Sequence, residues 1–389
     1  MSEGTETIGK VRDLPPRISR RDGWRPRALL IQGLVLAGLV AFVAYIASNV
    51  VANVARLNVH TGFQFLSRPS GMSIPQHLIA YSDASPYIDA FLVALLNTIV
   101  LAVVAILLAT PVGFLAGFAR LSGNRLVRAV AAGYVDIVRN VPLLLQILFW
   151  YFAVLSPLPA PRQSLNFLGI AFLNKRGFYL PAPVAEPAAW AFGIACLLGI
   201  AGWIVLARLK KPHWMGAGLL VALIAGTVLL WGEPFHWDLP ALTGFNFRGG
   251  MVVIPEFTAM ALALAIYNGA YIAEHVRGGL LSVHPGQREA GLALGLSRWR
   301  VATKIVVPQA MRAIVPPLGG QYIQLLKASS LGAAIAYPDL MLVFAGTALN
   351  QTGQPLEIMM MTMASYLLLC FGIAGLVNLA NRYVRIVER

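Results

Sequence analysis

Residues 289–308 read Glu-Ala-Gly-Leu-Ala-Leu-Gly-Leu-Ser-Arg-Trp-Arg-Val-Ala-Thr-Lys-Ile-Val-Val-Pro and lie between two long apolar runs. Residues 287–294 favour a short helix, and Gly295 suits its end because glycine accepts the positive φ of a C-terminal cap. Ser297 can cap a second helix, which the pattern predicts to end at Pro308. The stretch therefore predicts two short helices outside the hydrocarbon core.

The composition on either side of this stretch indicates a polytopic membrane protein. Of its 389 residues, 58% are hydrophobic and only 12% are charged, whereas soluble domains carry about 25% charged residues. An apolar helix needs roughly 20 residues to cross the hydrocarbon of a bilayer. Helices are expected because lipid offers backbone amides no partners. The uncharged runs near or above that length are 28–55, 90–119, 140–161, 187–207, 214–232 and 358–381.

Two further runs are less regular. The run 257–273 ends at a charged residue, and the run 319–345 contains Lys327. Gly332 and Pro338 favour a break in the second run, although apolar length alone leaves open a single span, a broken span or a re-entrant piece. The sequence predicts about eight membrane helices in all.

The formal net charge of +14 is unevenly distributed along the chain. If both termini are cytoplasmic, most Lys and Arg residues fall on the cytoplasmic side, which is the usual bias of membrane proteins. The charge therefore indicates membrane orientation rather than nucleic-acid binding. The segments that carry it are 10–27, 120–128, 208–211, 277–312 and 382–389.

The opening stretch resembles the cytoplasmic coupling motif of ABC importer permeases, written Glu-Ala-Ala, three residues, Gly, nine residues, Ile, one residue, Leu-Pro. Gly291 replaces the third small residue of that motif and Val307 replaces its leucine, and both changes are conservative in size. The resemblance implies that a separate ATPase contacts this loop. The residues that carry it are Glu289, Ala290, Gly291, Gly295, Ile305 and Pro308.

Small residues in the loop would let a partner approach closely, and Glu289 could pair with an arginine or cap neighbouring amides. Leu292, Leu296 and Trp299 would enter an apolar cleft as a helix enters a groove. The alternative is an amphipathic helix lying on lipid, which the loop's arginines and Trp299 would also permit.

Three further segments resemble the polar amino-acid importers, the histidine/glutamine-type permeases. They are 134–146, 267–279 and 326–331. The extra length resembles one permease subunit of the general L-amino-acid importers. This implies an all-α polytopic protein with a type I ABC importer permease core, an N-terminal helix and a two-helix insert. It also implies a bacterial inner membrane, an ABC ATPase dimer, a second related permease and a periplasmic amino-acid-binding protein. ATP and Mg would bind to the ATPase and no cofactor to this chain.

We therefore divide the chain into a cytoplasmic basic arm, a first helix, a periplasmic segment, a core interrupted by the insert, a coupling loop and a tail. The corresponding boundaries are 1–27, 28–55, 56–88, 89–156, 157–253 for the insert, 254–280, 281–318 for the coupling loop, 319–381 and 382–389.

A zwitterionic substrate needs polar partners inside the bilayer, where ionisable groups are costly and usually functional. Arg139 and Lys327 are the two basic residues inside predicted spans, and Pro142 predicts a helix break that would free backbone amides. Alternatively, Arg139 and Lys327 snorkel to the interface or pair with Asp136 and Glu274. The residues predicted to line the substrate path are Arg139, Asn140, Pro142, Gln146, Tyr271, Ser329 and Ser330.

Two other classes of function compete with an ATP-driven importer. A secondary transporter or channel subunit would be expected to carry an acidic or histidine-rich span as an ion relay, for which Asp136 and Glu274 are the candidates. A membrane enzyme would need a catalytic constellation, and the six histidines are scattered with no metal-ligand spacing. The sequence also has no Gly-x-x-x-x-Gly-Lys-Ser/Thr loop, so any ATP hydrolysis belongs to another chain.

Overall fold

The computed structural model describes residues 26–56, 61–186, 188–209 and 212–384. Most of the predicted arm, 1–27, and the end of the predicted tail, 382–389, lie outside these residues. The helices in chain order are α1 (Pro26–Arg56), α2 (Tyr87–Ala119), α3 (Arg125–Asn140), α4 (Leu143–Leu148), α5 (Ala189–Arg208), α6 (His213–Trp231), α7 (Pro255–Leu281), α8 (Pro285–Ala293), α9 (Arg298–Val301), α10 (Val307–Ala328), α11 (Leu349–Thr352) and α12 (Pro355–Val384).

Several short helical segments with other winding adjoin these helices or lie between them. The π-helical segments are Phe149–Leu155, Ala302–Val306 and Met341–Ala348, and the 3₁₀ segments are Phe63–Ser67, Pro161–Gln163 and Ser329–Ile335. The predominance of helix confirms the predicted fold class.

Four helices among the described residues are long and apolar enough to cross a bilayer. They lie at Leu29–Asn49, Tyr87–Ala119, Ala189–Arg208 and Pro355–Arg382. A fifth candidate is the bent pair formed by α3 and the α4 helix with its π-helical continuation. Helices α6, α7 and α10 occupy the remaining predicted positions, so the structure is consistent with the prediction of about eight helices. Helix α1 forms a compact unit of its own, and none of the residues in its apolar window is buried.

Glycines bring helices α2 and α7 into close contact. Gly113 and Gly117 lie one turn apart on α2, the spacing of small residues that lets helices in membranes approach closely. A Cβ at Gly113 would lie 2.5 Å from Cβ of Ile272, and one at Gly117 would lie 2.7 Å from Cβ of Val276. On α7, Gly269 faces back toward α2, where a Cβ would meet Val112 at 2.9 Å. These contacts pack α7 closely against α2 in the core.

The chain breaks between α3 and α4, as the sequence predicted. The two helices meet at 105°, and Val141 and Pro142 between them are extended, with ψ values of 126° and 136°. Proline restricts the preceding residue to such conformations. The side chain of Gln146 bridges the break, because its Nε2 donates to the carbonyls of Val138 at 2.9 Å and Val141 at 3.0 Å.

The run 319–345 is a broken segment rather than one continuous helix. Helix α10 ends at Ala328, a 3₁₀ segment follows, and Ala336 adopts a left-handed conformation with φ 59°. Two buried side chains of α2 hold the turn. Asn97 donates to the carbonyl of Pro338 at 2.9 Å, and Thr98 accepts from the amide of Leu340 at 3.0 Å. These bonds satisfy the backbone groups that the broken helix leaves free.

The insert contains the expected pair of helices, α5 and α6, together with short β-strands that the sequence analysis did not predict. Strands of three or four residues are too short to show an alternating pattern. They form one four-stranded sheet of order β1-β2-β3-β8 and two hairpins, β4-β5 and β6-β7. The strands are β1 (Leu165–Phe167), β2 (Ala171–Asn174), β3 (Gly177–Leu180), β4 (Ala182–Ala185), β5 (Phe235–Asp238), β6 (Ala241–Thr243), β7 (Asn246–Arg248) and β8 (Met251–Val253).

Candidate functional site

The loop after α7 begins with the short helix α8, and a second helical segment, α9, follows it, as predicted. Helix α8 is capped at its start by His284, whose Nδ1 accepts from the amide of Gly286 at 3.1 Å. It ends at Ala293, and Gly295 two residues later has φ 76°. The amide of Leu296 donates to the carbonyl of Gly291 at 3.2 Å, which is the hydrogen bond of a Schellman cap. The local rules that predicted the end of α8 therefore hold.

The second helix of the loop is longer than predicted. Ser297 caps α9 by accepting from the amide of Arg300, but Pro308 does not end the helix. The chain passes from α9 through a π-helical segment, Ala302–Val306, directly into α10, where Pro308 lies in the first turn. The prediction of a stop at Pro308 is wrong, because a first-turn proline needs no amide donor and fits the helical φ.

Gly291 joins the two helices of the loop. It is buried, and a Cβ there would lie 2.8 Å from Cδ1 of Ile305 and 3.0 Å from Cγ2 of Val301. The sequence predicts that the small residues let a partner approach. Ala290 and Ala293 are exposed, so a partner can approach them. Gly291 is buried, and its small size instead allows α8 to pack within the loop.

The outer surface of the loop carries apolar side chains and Glu289 beside the exposed arginines Arg288, Arg298 and Arg300. The side chains of Leu292, Leu294 and Trp299 are 40%, 81% and 76% exposed. Glu289 is also exposed, and among the described residues its carboxylate takes part in no ion pair. We call Glu289, Leu292, Leu294 and Trp299 the coupling surface. Leu294 was missed by the sequence analysis, and Leu296, which it included, is half-buried.

The structure brings two of the predicted substrate-path residues together. The Arg139 guanidinium lies 4.9 Å from the centre of the Tyr271 ring, within the range of a cation–π contact. The hydroxyl of Tyr271 is 3.2 Å from that of Tyr267 on the preceding turn of α7. Together they place a cation and two phenols where the break after α3 meets α7.

Two other candidates at the break bond to the backbone around it. Asn140 is exposed, and its Nδ2 donates to the carbonyl of Asp136 at 2.7 Å. The Nε2 of Gln146 donates to one carbonyl in the last turn of α3 and to the carbonyl of Val141 just after it. Pro142 caps α4 and sets the bend. These residues set the backbone conformation of the break that follows Arg139.

Ser329 and Ser330 lie away from this cluster. Their hydroxyls donate to the carbonyls of Leu326 at 2.7 Å and Lys327 at 2.8 Å, and so end α10. On α10, Gln321 lies beside Asn268 of α7, to which its Nε2 donates at 2.6 Å. From there to Ser329 is roughly 12 Å along the helix axis, at 1.5 Å per residue.

An ion-pair triad ties the end of α2 to α7. Glu274 accepts from Arg120, which follows α2, and from Arg277 at 2.5 Å one turn along α7. The alternative in which Glu274 pairs with Lys327 or Arg139 is therefore wrong. The sequence could not show this pairing because Arg120 and Glu274 are distant in the chain.

The family described as "Binding-protein-dependent transport system inner membrane component" matches residues 213–389. The chain is 45% identical over 374 residues to the putative amino-acid ABC transporter permease protein YhdX of Escherichia coli (strain K12), covering 93% of this chain and 95% of the relative.

A second relative is the general L-amino acid transport system permease protein AapQ of Rhizobium johnstonii, which is 42% identical over 93% of each chain. The solved structure of an amino acid ABC transporter with histidines is 22% identical, with a TM-score of 0.47, and the match covers 76% of this chain and 95% of that one.

Proposed function

Because this chain belongs to the family of ABC transporter permeases and is a permease subunit, we propose that it imports polar L-amino acids across the inner membrane. In this proposal an ABC ATPase dimer binds ATP and Mg and drives the cycle. A second, related permease completes the path, and a periplasmic binding protein delivers the amino acid. Both termini lie in the cytoplasm, as the distribution of basic residues indicates.

The observation that carries the proposal is the coupling surface. Exposed apolar side chains beside the Glu289 carboxylate suit a groove on a partner better than they suit water. Burial of Gly291 holds α8 firmly on the helix that leads into α10. A push on the coupling surface is therefore transmitted into a core helix through a rigid connection.

The test of this function separates it from a secondary transporter. We expect amino-acid uptake by cells expressing the whole complex to require an intact ATPase partner and to persist when an ionophore removes the proton gradient. The physical reason is that ATP hydrolysis by the partner ATPase supplies the free energy for uptake. A control strain carries an ATPase that cannot hydrolyse ATP. Uptake that continues in this strain and stops with the ionophore would instead favour the secondary-transporter alternative.

We further propose that Arg139 and Tyr271 line the substrate path, with Arg139 as the partner of the substrate carboxylate. A hydrogen bond to a charged group contributes roughly 1.5–3 kcal/mol, so Arg139→Gln should lower uptake about tenfold or more. The measurement is the initial uptake rate in proteoliposomes. Arg128→Gln is the matched control, because Arg128 is exposed on the same helix. Unchanged uptake by Arg139→Gln removes Arg139 from the path.

A further inference from the structure

A polar cavity lies at the start of α7, at the end farthest from the coupling surface. Its volume is about 500 Å³, within the range of small-molecule sites. Its charged and hydrogen-bonding side chains come from two parts of the core and from the insert. They are Tyr151, Ser156, Lys175, Arg176 and Glu256.

The insert supplies the two cations on a firmly held hairpin turn. Lys175 and Arg176 form the two-residue turn between Asn174 and Gly177, which pair as the last residues of β2 and β3. The Lys175 amide donates to the carbonyl of Pro159 at 3.0 Å, and the Arg176 amide donates to Oδ1 of the buried Asn174 at 2.8 Å. The turn therefore fixes the backbone from which the two exposed cationic side chains extend.

The same turn lies against the start of α7. Strand β3 pairs with β8, and a Cβ at Gly177 would lie 2.5 Å from the carbonyl oxygen of Val253. Two residues later α7 begins, and its first turn carries Glu256. Only glycine permits this approach, at φ 139°.

Glu256 provides the opposite charge. Its Oε1 accepts from the hydroxyl of Tyr151 at 2.8 Å, which fixes the carboxylate against the helix that follows the break. Among the described residues neither Lys175 nor Arg176 forms an ion pair with it. The cavity thus presents separated positive and negative groups that do not neutralise each other.

We infer that this cavity is a receiving site for an α-amino acid, with the carboxylate at Lys175 and Arg176 and the ammonium at Glu256. The inference rests on the proposed function and gives the insert a role in it. Two cations against one carboxylate leave a net positive charge, which favours a substrate with an additional anionic side chain. Tyr271 lies roughly 22 Å further along α7, at 1.5 Å per residue, so the site stands at the entrance to the proposed path.

The test uses the complete complex in proteoliposomes loaded with ATP and supplied with its binding protein. The probes are L-glutamate and L-glutamine, which have similar shapes and different charges. ATP-dependent uptake of either probe by the wild type establishes the proposed function separately, and its absence is a failure of that function. The cavity is tested by the ratio of variant to wild-type initial rates.

For Lys175→Gln/Arg176→Gln we expect uptake of the probe carried by the wild type to fall about tenfold. Where the wild type carries both probes, the uptake rate of L-glutamate should fall more than that of L-glutamine. Glu256→Gln keeps the acceptor for Tyr151 and removes only the charge, so it should lower uptake of both probes alike. Arg248→Gln is the control, because it removes a cation from the insert outside the cavity and should leave uptake within about twofold.

Unchanged uptake in both cavity variants would overturn the inference while leaving the proposed function intact. So would equal losses of both probes in Lys175→Gln/Arg176→Gln with a lowered melting temperature, since that result indicates a structural role for the turn.

Discussion

Replacement of Gly113 by alanine should destabilise the helical core by about 3 kcal/mol, near the upper end of the range for overpacking. The added Cβ would lie 2.5 Å from Cβ of Ile272 and 2.9 Å from the carbonyl oxygen of Gly269. Neither atom is the end of a flexible side chain, so no rotamer change relieves the overlap. Helices α2 and α7 must separate, and the side chains buried between them lose contact.

The measurement is the free energy of unfolding of the purified chain in mixed micelles, together with the amount of folded protein in the membrane. Gly133→Ala is the matched control, because Gly133 lies in helix α3 with no atom within 4 Å of an added Cβ. That variant should be as stable as the wild type or about 1 kcal/mol more stable, since alanine favours helix over glycine. Equal stability of Gly113→Ala and wild type would contradict the packing described here.

The sequence predicts features that depend on local rules. Apolar length locates the helices, Pro142 predicts the break after α3, and Gly295 predicts the end of α8. In each case a few neighbouring residues determine the backbone, through restricted φ values or missing donors. These features need no knowledge of which helices touch.

Features that depend on distant contacts could not be predicted. The glycines of α2 matter for packing only because α7 lies opposite them. Asn97 bonds to Pro338, a residue 241 positions away in the sequence. The pairing of Arg120 with Glu274 is equally distant. The site shows the same limit. Arg139 and Gln146 were both selected as polar residues near a break, but only the structure shows that Gln146 bonds to that break.

Replacement of Gly291 by leucine should separate ATP hydrolysis from transport. An added Cβ meets Cδ1 of Ile305 at 2.8 Å, and this atom can rotate away. Gly291→Ala should therefore be tolerated, as the resemblance to the Glu-Ala-Ala motif also suggests. Leucine adds three more carbon atoms, which the contact with Val301 and Ile305 cannot accept. Helix α8 must then lift away, and Glu289 moves with it relative to Trp299.

We expect the amount of amino acid imported per ATP hydrolysed to fall at least about tenfold in Gly291→Leu, within the usual range of roughly 5- to 150-fold for coupling between sites. The complex should remain assembled and folded, because the change lies outside the apolar core. The measurements are uptake and phosphate release in the same proteoliposomes. Gly291→Ala is the size control, and Gly278→Ala is the positional control, because Gly278 is exposed on α7 with open space around it. Normal import per ATP in Gly291→Leu would show that the packing of α8 does not transmit the motion of the ATPase.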